Sequence, residues 1–379
     1  MTSFIIIATV FISEFEYIAS NPPRIRMATI DVKNLTKAVA QLVKTLNPRN
    51  RDIVSRRFGL KNGTKETLES IGKGYGITRE RVRQIEEFAL AQLAKATADQ
   101  RDVIRYSTSA KDLIAREGGV LKERALFKAV SGSEKDSVAN ASLVFALTLD
   151  RELVRMADND HVHGYWARDT KTLEAFRQQV TALTSVLESH GTVVPAAKLV
   201  ALSNEHGVTA LDGSKFNDRH LATVVSICKD LGSNIFGQMG LTHWSQIRPK
   251  GVRDKAYLVL RQAVTPQHFS QIAKLINVAK FDAKKVNIQT VHNELIKDNR
   301  FVLVGRGMYA LSEWGYKAGT VKDVLVDILK NHGKPLPRAD LVAKVGAVRL
   351  VKENTILLNL QDSGTFTRDE SGHYHLRRK

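Results

Sequence analysis

Cysteine is almost missing from this 379-residue chain: Cys228 stands alone. It can form no internal disulfide, and no CxxC zinc site exists. This fits a reducing cytoplasm, and its apolar setting (VVSICKDL) suits a core residue better than a nucleophile. Long apolar runs are missing too. The longest, Phe4 to Ile12, has nine residues, against the roughly 20 needed to span a bilayer. No Lys or Arg precedes it, so it lacks the basic start of a signal peptide. Asn21, Pro22 and Pro23 then break the chain, and a helical pattern begins near Asp31. Residues 1–26 are expected to be a wrongly assigned start, with Met27 the natural one; a short anchor or a disordered tail are the alternatives. Catalytic constellations are also lacking. No Ser-His-Asp or paired-carboxylate arrangement stands out. The GKGYG stretch at residues 72–76 lacks the GK[ST] that a phosphate loop requires. His161 with His163, and His373 with His375, would each share a strand face, but two imidazoles without a third ligand make a poor zinc site. The sequence therefore implies no enzyme, no metal and no cofactor.

What the chain has in excess is positive charge. Lys and Arg number 57 against 39 Asp and Glu, a net +18. Such an excess favours a polyanionic partner, because each cation set against a phosphate releases condensed counterions. Apolar residues make up 43%, enough to bury real cores. At roughly 100–200 residues per domain, the length suggests two to four units.

The most informative stretch is LNPRNRDIVSRRFGLKNGTKETLESIGKGYGITRERVRQIEEFALAQL, residues 46–93. Asn47 or Pro48 opens a helix ending near Phe58-Gly59. Thr67 is a suitable N-cap for a short helix with Leu68 and Ile71 on one face. Gly72, Gly74 and Gly76 permit a tight turn. Thr78 caps a longer helix running to about Ala94. At 100° per residue, Val82, Ile85, Ala89 and Leu93 fall on one side. Glu80, Arg83, Gln84 and Glu87 fall opposite, with Arg79 at the shoulder. The pattern suits a helix-turn-helix whose second helix offers its N-terminal part to base edges. Arg can grip guanine, Gln adenine, and Glu can accept from cytosine. The helix alone equally fits an ordinary amphipathic element with a charged outer face.

RRFGL (residues 56–60), TLESIG (67–72) and TRERVRQIE (78–86) closely resemble region 4 of the sigma-70 family, the subunits that give bacterial RNA polymerase its promoter specificity. The resemblance covers about 50 residues without gaps. It implies that Arg79, Glu80, Arg83 and Gln84 read bases of a −35-type promoter element in double-stranded DNA. It also implies that Arg49, Arg57, Thr67 and Leu68 touch the phosphate backbone, and that the module docks on the β flap of the polymerase core. Sigma factors carry a −10-reading, DNA-melting domain upstream. The roughly 45 residues before this motif lack the aromatic-rich helical run that melting needs, so the resemblance does not imply a complete, autonomous sigma factor.

The remainder is repetitive. HGTVVPAAKLVA (190–201) and HGKPLPRADLVA (332–343) share one frame, and GGVLKERALFK from Gly118 is a weaker copy. Each is followed by an amphipathic helix and an aromatic-rich hairpin, ending at Tyr165-Trp166, His243-Trp244, Tyr309 to Trp314, and His373 to Leu376. Three helices closed by a hairpin make a winged helix. The expected fold is mainly α with small β-hairpins: a helix-turn-helix domain at 27–106, then tandem winged-helix units at 108–169, 170–250, 253–318 and 320–379. A single irregular α+β domain is the alternative. Residues 256–316, with HFSQIAKLI and VHNELIKDNRFVLVGRGMYALSEWGY, resemble the HARE winged-helix domain found in the delta subunit of RNA polymerase and in DNA-modification and chromatin proteins. In that unit the expected recognition helix, 287–299, has Lys297 as its clear cation beside Glu294 and Asp298, which favours protein contact over base readout. The whole reads as a sequence-specific, non-enzymatic transcription regulator of the bacterial cytoplasm and nucleoid, away from any membrane. A polymerase-associated interaction module and the specificity subunit of a DNA-modification system are the rivals.

Overall fold

A computed structural model describes residues 32–97, 100–316 and 319–377; the expectation for residues 1–26 lies outside them. The chain is mainly helical, with small antiparallel sheets, and divides into two compact units, residues 1–243 and 244–379.

The first unit opens with α1 (Val32–Lys44), α2 (Pro48–Phe58), α3 (Leu68–Tyr75) and α4 (Arg79–Ala96). Their boundaries follow the capping chemistry of the sequence. The side chains of Asn47, Thr67 and Thr78 accept hydrogen bonds from the N–H groups of Asn50, Ser70 and Arg81, satisfying donors that a helix start leaves unpaired. Gly59 and Gly76 close α2 and α3 in the left-handed conformation, at φ 73° and 64°.

Next come α5 (Arg101–Arg116), β1 (Val120–Lys122), α6 (Glu123–Ser131), α7 (Val138–Leu149), β2 (Val154–Met156) and β3 (Tyr165–Ala167). α5 crosses the expected boundary at 106–108. A single apolar core runs from Leu35, Val39 and Leu42 through Phe58 and Leu93 to Leu143, Phe145 and Trp166. At its centre lies α7, apolar on every side and buried from Asn140 to Leu147. A helix with no polar face must be enclosed, and α7 packs on α1, α2, α4 and α5.

The unit ends with α8 (Thr170–His190), β4 (Val194–Pro195), α9 (Ala196–Glu205), α10 (Asp218–Ile227), β5 (Leu231–Ser233) and β6 (Gln238–Leu241). α10 packs against β1. Arg219 on α10 donates to the Arg116 carbonyl at 2.9 Å and pairs with Glu117 at 3.3 Å. His161 and His163 do not share a strand: the segment 161–163 hydrogen-bonds instead to residues 227–229. Their imidazoles turn to different carboxylates, Asp230 at 2.8 Å and Asp158 at 3.5 Å.

The second unit contains α11 (Val252–Ala263), β7 (Gln267–His268), α12 (Phe269–Ala279), α13 (Ile288–Ile296), β8 (Phe301–Gly305) and β9 (Met308–Leu311). They are followed by α14 (Val321–His332), α15 (Arg338–Val348), α16 (Glu353–Leu360), β10 (Phe366–Arg368) and β11 (Tyr374–Leu376). Val302 and Val304 are buried and Leu303 faces out, as their alternation requires. α13 is shorter at its C-terminal end than the expected 287–299, since residues 298–300 turn into β8.

Three sheets share one order, first strand, third, second: β1-β3-β2, β4-β6-β5 and β7-β9-β8. The fourth is the pair β10-β11, where Leu336 bridges Tyr374 in place of a first strand. The repeated HG frame has one structural meaning in both copies. Gly191 and Gly333 end a helix at φ 72° and 69°, and the next helix starts after Pro195 or Pro337.

Candidate nucleic-acid interface

α4 lies on α2 and α3 through Val82, which joins Ile53 and Ile71 in a small core flanked by Leu68, Tyr75, Ile77 and Ile85. Polar contacts lock α2 to α3. Tyr75 donates its hydroxyl proton to Asp52 at 2.8 Å, and Lys61 reaches the same carboxylate at 2.7 Å. Arg56 grips Glu66 with two bonds of 2.9 and 2.8 Å. Arg56 and Arg49 both lie over the Tyr75 ring. Hydrogen bonds from Lys61 and Tyr75 hold Asp52 below the usual carboxylate range, so it stays charged at neutral pH. Nothing in the spacing of these residues announced the network, because its hydrogen-bonded members lie up to 23 positions apart.

The face opposite the core is open. Arg79, Glu80, Arg83, Gln84 and Glu87 are all exposed, while Val82, Ala89 and Leu93 are fully buried. The helical projection therefore separates the two faces as expected. Arg83 is held in place before any ligand arrives: it donates to Glu80 at 2.7 and 2.9 Å and pairs with Glu87 one turn on. Those bonds, Glu80 first, raise its pKa further above its already high value. Arg81 donates to Gln84 at 3.1 Å. Phe88, on the same helix, is 66% exposed, an apolar feature that the reading of charged residues passed over.

The expected backbone-contacting residues have mixed settings. Arg49 is exposed. Thr67 spends its hydroxyl on capping α3. Leu68 is half-buried against the small core. Arg57 is half-buried and turned inward, donating to the Glu66 carbonyl at 3.1 Å and to Glu86 at 3.4 Å. Burial raises the pKa of Glu86 despite that partner.

The loop before α3 is braced from the next helices. A Cβ on Gly63 would lie 2.9 Å from the Ser137 backbone. Lys65 pairs with Glu123 at 3.8 Å, which also takes Arg155 at 2.5 and 2.9 Å and the Trp166 indole N–H at 3.2 Å. Burial pushes Glu123 up, but Arg155, Lys65 and the Trp166 indole together outweigh it and its pKa falls.

Residues 42–95 match sigma-70, region 4. The chain is 45% identical over 58 residues to the RNA polymerase principal sigma factor HrdD of Streptomyces coelicolor, covering 15% of this chain and 18% of that one. It is 47% identical over 62 residues to the RNA polymerase sigma factor SigA of Microcystis aeruginosa, covering 16% and 15%. With SigA of Clostridium acetobutylicum it shares 44% over 59 residues, 16% of each chain. The chain thus spans under a fifth of the length of these curated relatives. Region 4 is a domain of non-enzymatic transcription factors. The matched segment contains every residue assigned above to bases or phosphates.

Among the described residues, no helix is long and apolar enough to cross a membrane. Also among them, no group of three or more His, Cys, Asp or Glu is placed to hold a metal ion.

Proposed function

We propose that this protein is a sequence-specific DNA-binding regulator of transcription. In this reading α4 enters the major groove of a −35-type promoter element, and the region-4-like segment also engages the β flap of RNA polymerase. The observation that carries it is the open face of α4. Arg79, Glu80, Arg83 and Gln84 stand outward on a helix whose other side is anchored by the fully buried Val82, Ala89 and Leu93, within a segment that matches sigma-70 region 4. Base reading falls to these four residues; Arg49, Arg57, Thr67 and Leu68 position the backbone. The four helix-and-hairpin units are winged helices, the third of HARE type, with the boundaries given above except that α5 (Arg101–Arg116) carries the first one back to about residue 100, and the protein works in the bacterial cytoplasm on the nucleoid. Arg83→Ala is expected to cost about 1–3 kcal/mol and relax specificity at one base. Arg49→Ala, at the exposed cation of the backbone set, is expected to weaken all sequences alike and flatten the salt dependence by about one unit. A gel-shift salt titration on promoter and scrambled duplexes tests both; if neither substitution changes binding, the assignment fails.

A second reading, a polymerase-associated protein module, is favoured by one observation. In the first two winged units the third helix, the one such folds use to read DNA, is committed to packing: α7 is buried and α10 lies against β1. Retention of core polymerase on the immobilised chain in nuclease-treated extract, with no promoter preference in solution, would favour this reading over the first.

A further inference from the structure

The positive charge of this chain is unevenly spread. Residues 244–379 hold 24 Lys and Arg against 12 Asp and Glu, a net +12 of the total +18. Residues 107–243 hold 15 against 16, a net −1. Two thirds of the excess therefore lies in a part of the chain that the region 4 match does not reach.

Within α11 to β9 the acids are already used. Asp254 and Asp298 pair with Arg300 at 3.1 and 2.6 Å, and Glu294 pairs with Arg253 at 2.5 Å. Asp282 pairs with Lys255, and Glu313 accepts from the Tyr257 hydroxyl at 3.0 Å. This leaves Lys280, Lys284 and Lys285 exposed, and none of them forms an ion pair among the described residues. All three lie in the short connection from α12 to α13. The connection is fixed rather than loose: Asn277 bonds both the N–H and the carbonyl of Val286, at 2.8 and 3.1 Å. It delivers the chain to the N-terminus of α13, capped by Asn287, where the helix dipole adds to the lysines' attraction for an anion. The outer side of α13 is neutral and polar, with Gln289, Thr290 and Asn293 exposed. The β8–β9 tip is joined to this helix by a ladder of rings. Gly307 lies against His268 and Phe269, and Phe269 stacks on His292 of α13 at 4.4 Å. Arg306, at that tip, is also exposed.

We infer that Lys280, Lys284 and Lys285, with the start of α13 and Arg306, form a second DNA contact that grips the phosphate backbone of duplex DNA without reading its sequence. No arginine or acid stands free on the outer face of α13, and its two amides are engaged with each other, Gln289 donating to Asn293 at 3.2 Å, so the contact adds affinity and leaves specificity to α4. This inference rests on the DNA-binding reading of the chain but not on the base-reading roles given to α4.

The test uses the full chain and a duplex without promoter-like sequence, followed by fluorescence anisotropy from 50 to 200 mM salt. The triple variant K280A/K284A/K285A removes three phosphate contacts. It should lower the slope of log K against log salt by about 2.5–3 and weaken binding on the order of 100-fold at 0.15 M salt. The triple Lys→Arg variant should keep both near the parent values. A control removing equal charge from the near-neutral region, K171A/K198A/K215A, should change the slope by less than one unit. If the first triple behaves like this control, the inference is overturned; an effect confined to RNA duplexes overturns it as well. Arg83→Ala measured in parallel on promoter DNA keeps the outcomes apart. Lost promoter preference with an unchanged effect of the lysine triple supports both proposals, whereas retained preference sinks only the roles assigned to α4.

Discussion

Replacing Gly72 by alanine should loosen the helix-turn-helix, even though alanine is the better helix former. Gly72 lies inside α3 with helical backbone, so propensity alone would reward Ala by about 1 kcal/mol. The geometry opposes this. A Cβ at position 72 would lie 2.7 Å from the carbonyl oxygen of Ile77, a backbone atom in the turn between the two helices. That oxygen cannot swing away as a side chain would, and the Ile77 N–H is itself bonded to the Gly72 carbonyl at 3.0 Å. Opening the turn by roughly half an ångström is an overpacking cost of about 2–3 kcal/mol, so the net destabilisation is about 1–2 kcal/mol. Amide hydrogen exchange on the full chain reads this locally, since multidomain unfolding is not two-state. Protection in α3 and the first turns of α4 should fall about five- to thirtyfold. Two neighbours serve as comparisons. At Gly74 the added Cβ meets only the Arg56 guanidinium at 3.3 Å, a movable group, so Gly74→Ala should be neutral or slightly stabilising. At Gly76 nothing lies within 4 Å but φ is +64°, so Ala should cost about 1 kcal/mol through backbone strain alone. If Gly72→Ala protects α3 better than the parent, the close approach does not govern this turn and the reasoning fails.

Phe145→Ala should cost about 3–5 kcal/mol, because Phe145 is fully buried and meets Phe58 edge-on at 5.1 Å. Exchange protection should drop in α2 and α4 as well as in α7; a loss confined to α7 would contradict a shared core. Glu87→Gln removes one of the two carboxylates holding Arg83 and one negative charge from the exposed face. Duplex binding should tighten, with a salt slope steeper by up to one unit in titrations. The lowered pKa of Glu123 means the unfolded chain takes up a proton before the folded one. The ion pair's contribution is therefore complete above the ordinary value of 4.5 and is lost as pH falls through the lower folded value. Acid denaturation of Glu123→Gln should start at a higher pH but rise less steeply, as followed by tryptophan fluorescence, since Trp166 donates to this carboxylate.

Much of the first four helices is legible in the sequence because local chemistry decides it. Asn47, Thr67 and Thr78 cap where they stand, Gly59 and Gly76 take the positive φ that ends a helix, and the two faces of α4 follow from spacing. The turn glycines show where local reading stops. All three look alike in sequence, yet only Gly76 has positive φ, while Gly72 is needed for a close approach that only the packed structure reveals. The Asp52–Tyr75 and Arg56–Glu66 contacts were hidden for the same reason, being set by how α2 lies on α3. The boundary expected at 106–108 separates two sequence patterns, but α1 and α2 bury their apolar sides against α7 on its far side. The Lys280, Lys284 and Lys285 cluster is hidden in the sequence because its cations precede the helix that starts after Asn287, in a connection that the Asn277 bonds to Val286 hold only in the folded chain.

Repeated units need not do the same work. The helix in third place differs in each. VANASLVFALTL offers no polar side, so α7 can be stable only when enclosed, and it becomes the hub joining the helix-turn-helix to the next sheet. In α10, Arg219 reaches Glu117 and the Arg116 carbonyl, so its polar side is used internally. In α13 the corresponding side carries Gln289, Thr290 and Asn293, with lysines before it and no unpaired acid facing it. Charge follows this progression, near zero over residues 107–243, where α7 and α10 are engaged, and strongly positive over residues 244–379, which contain α13. A helix that must desolvate polar groups to pack gains little by packing, whereas one that keeps them in water can exchange that water for phosphate oxygens. In the proposed reading α13 is therefore where this chain meets nucleic acid beyond α4, while α7 packs beneath the helices that carry α4.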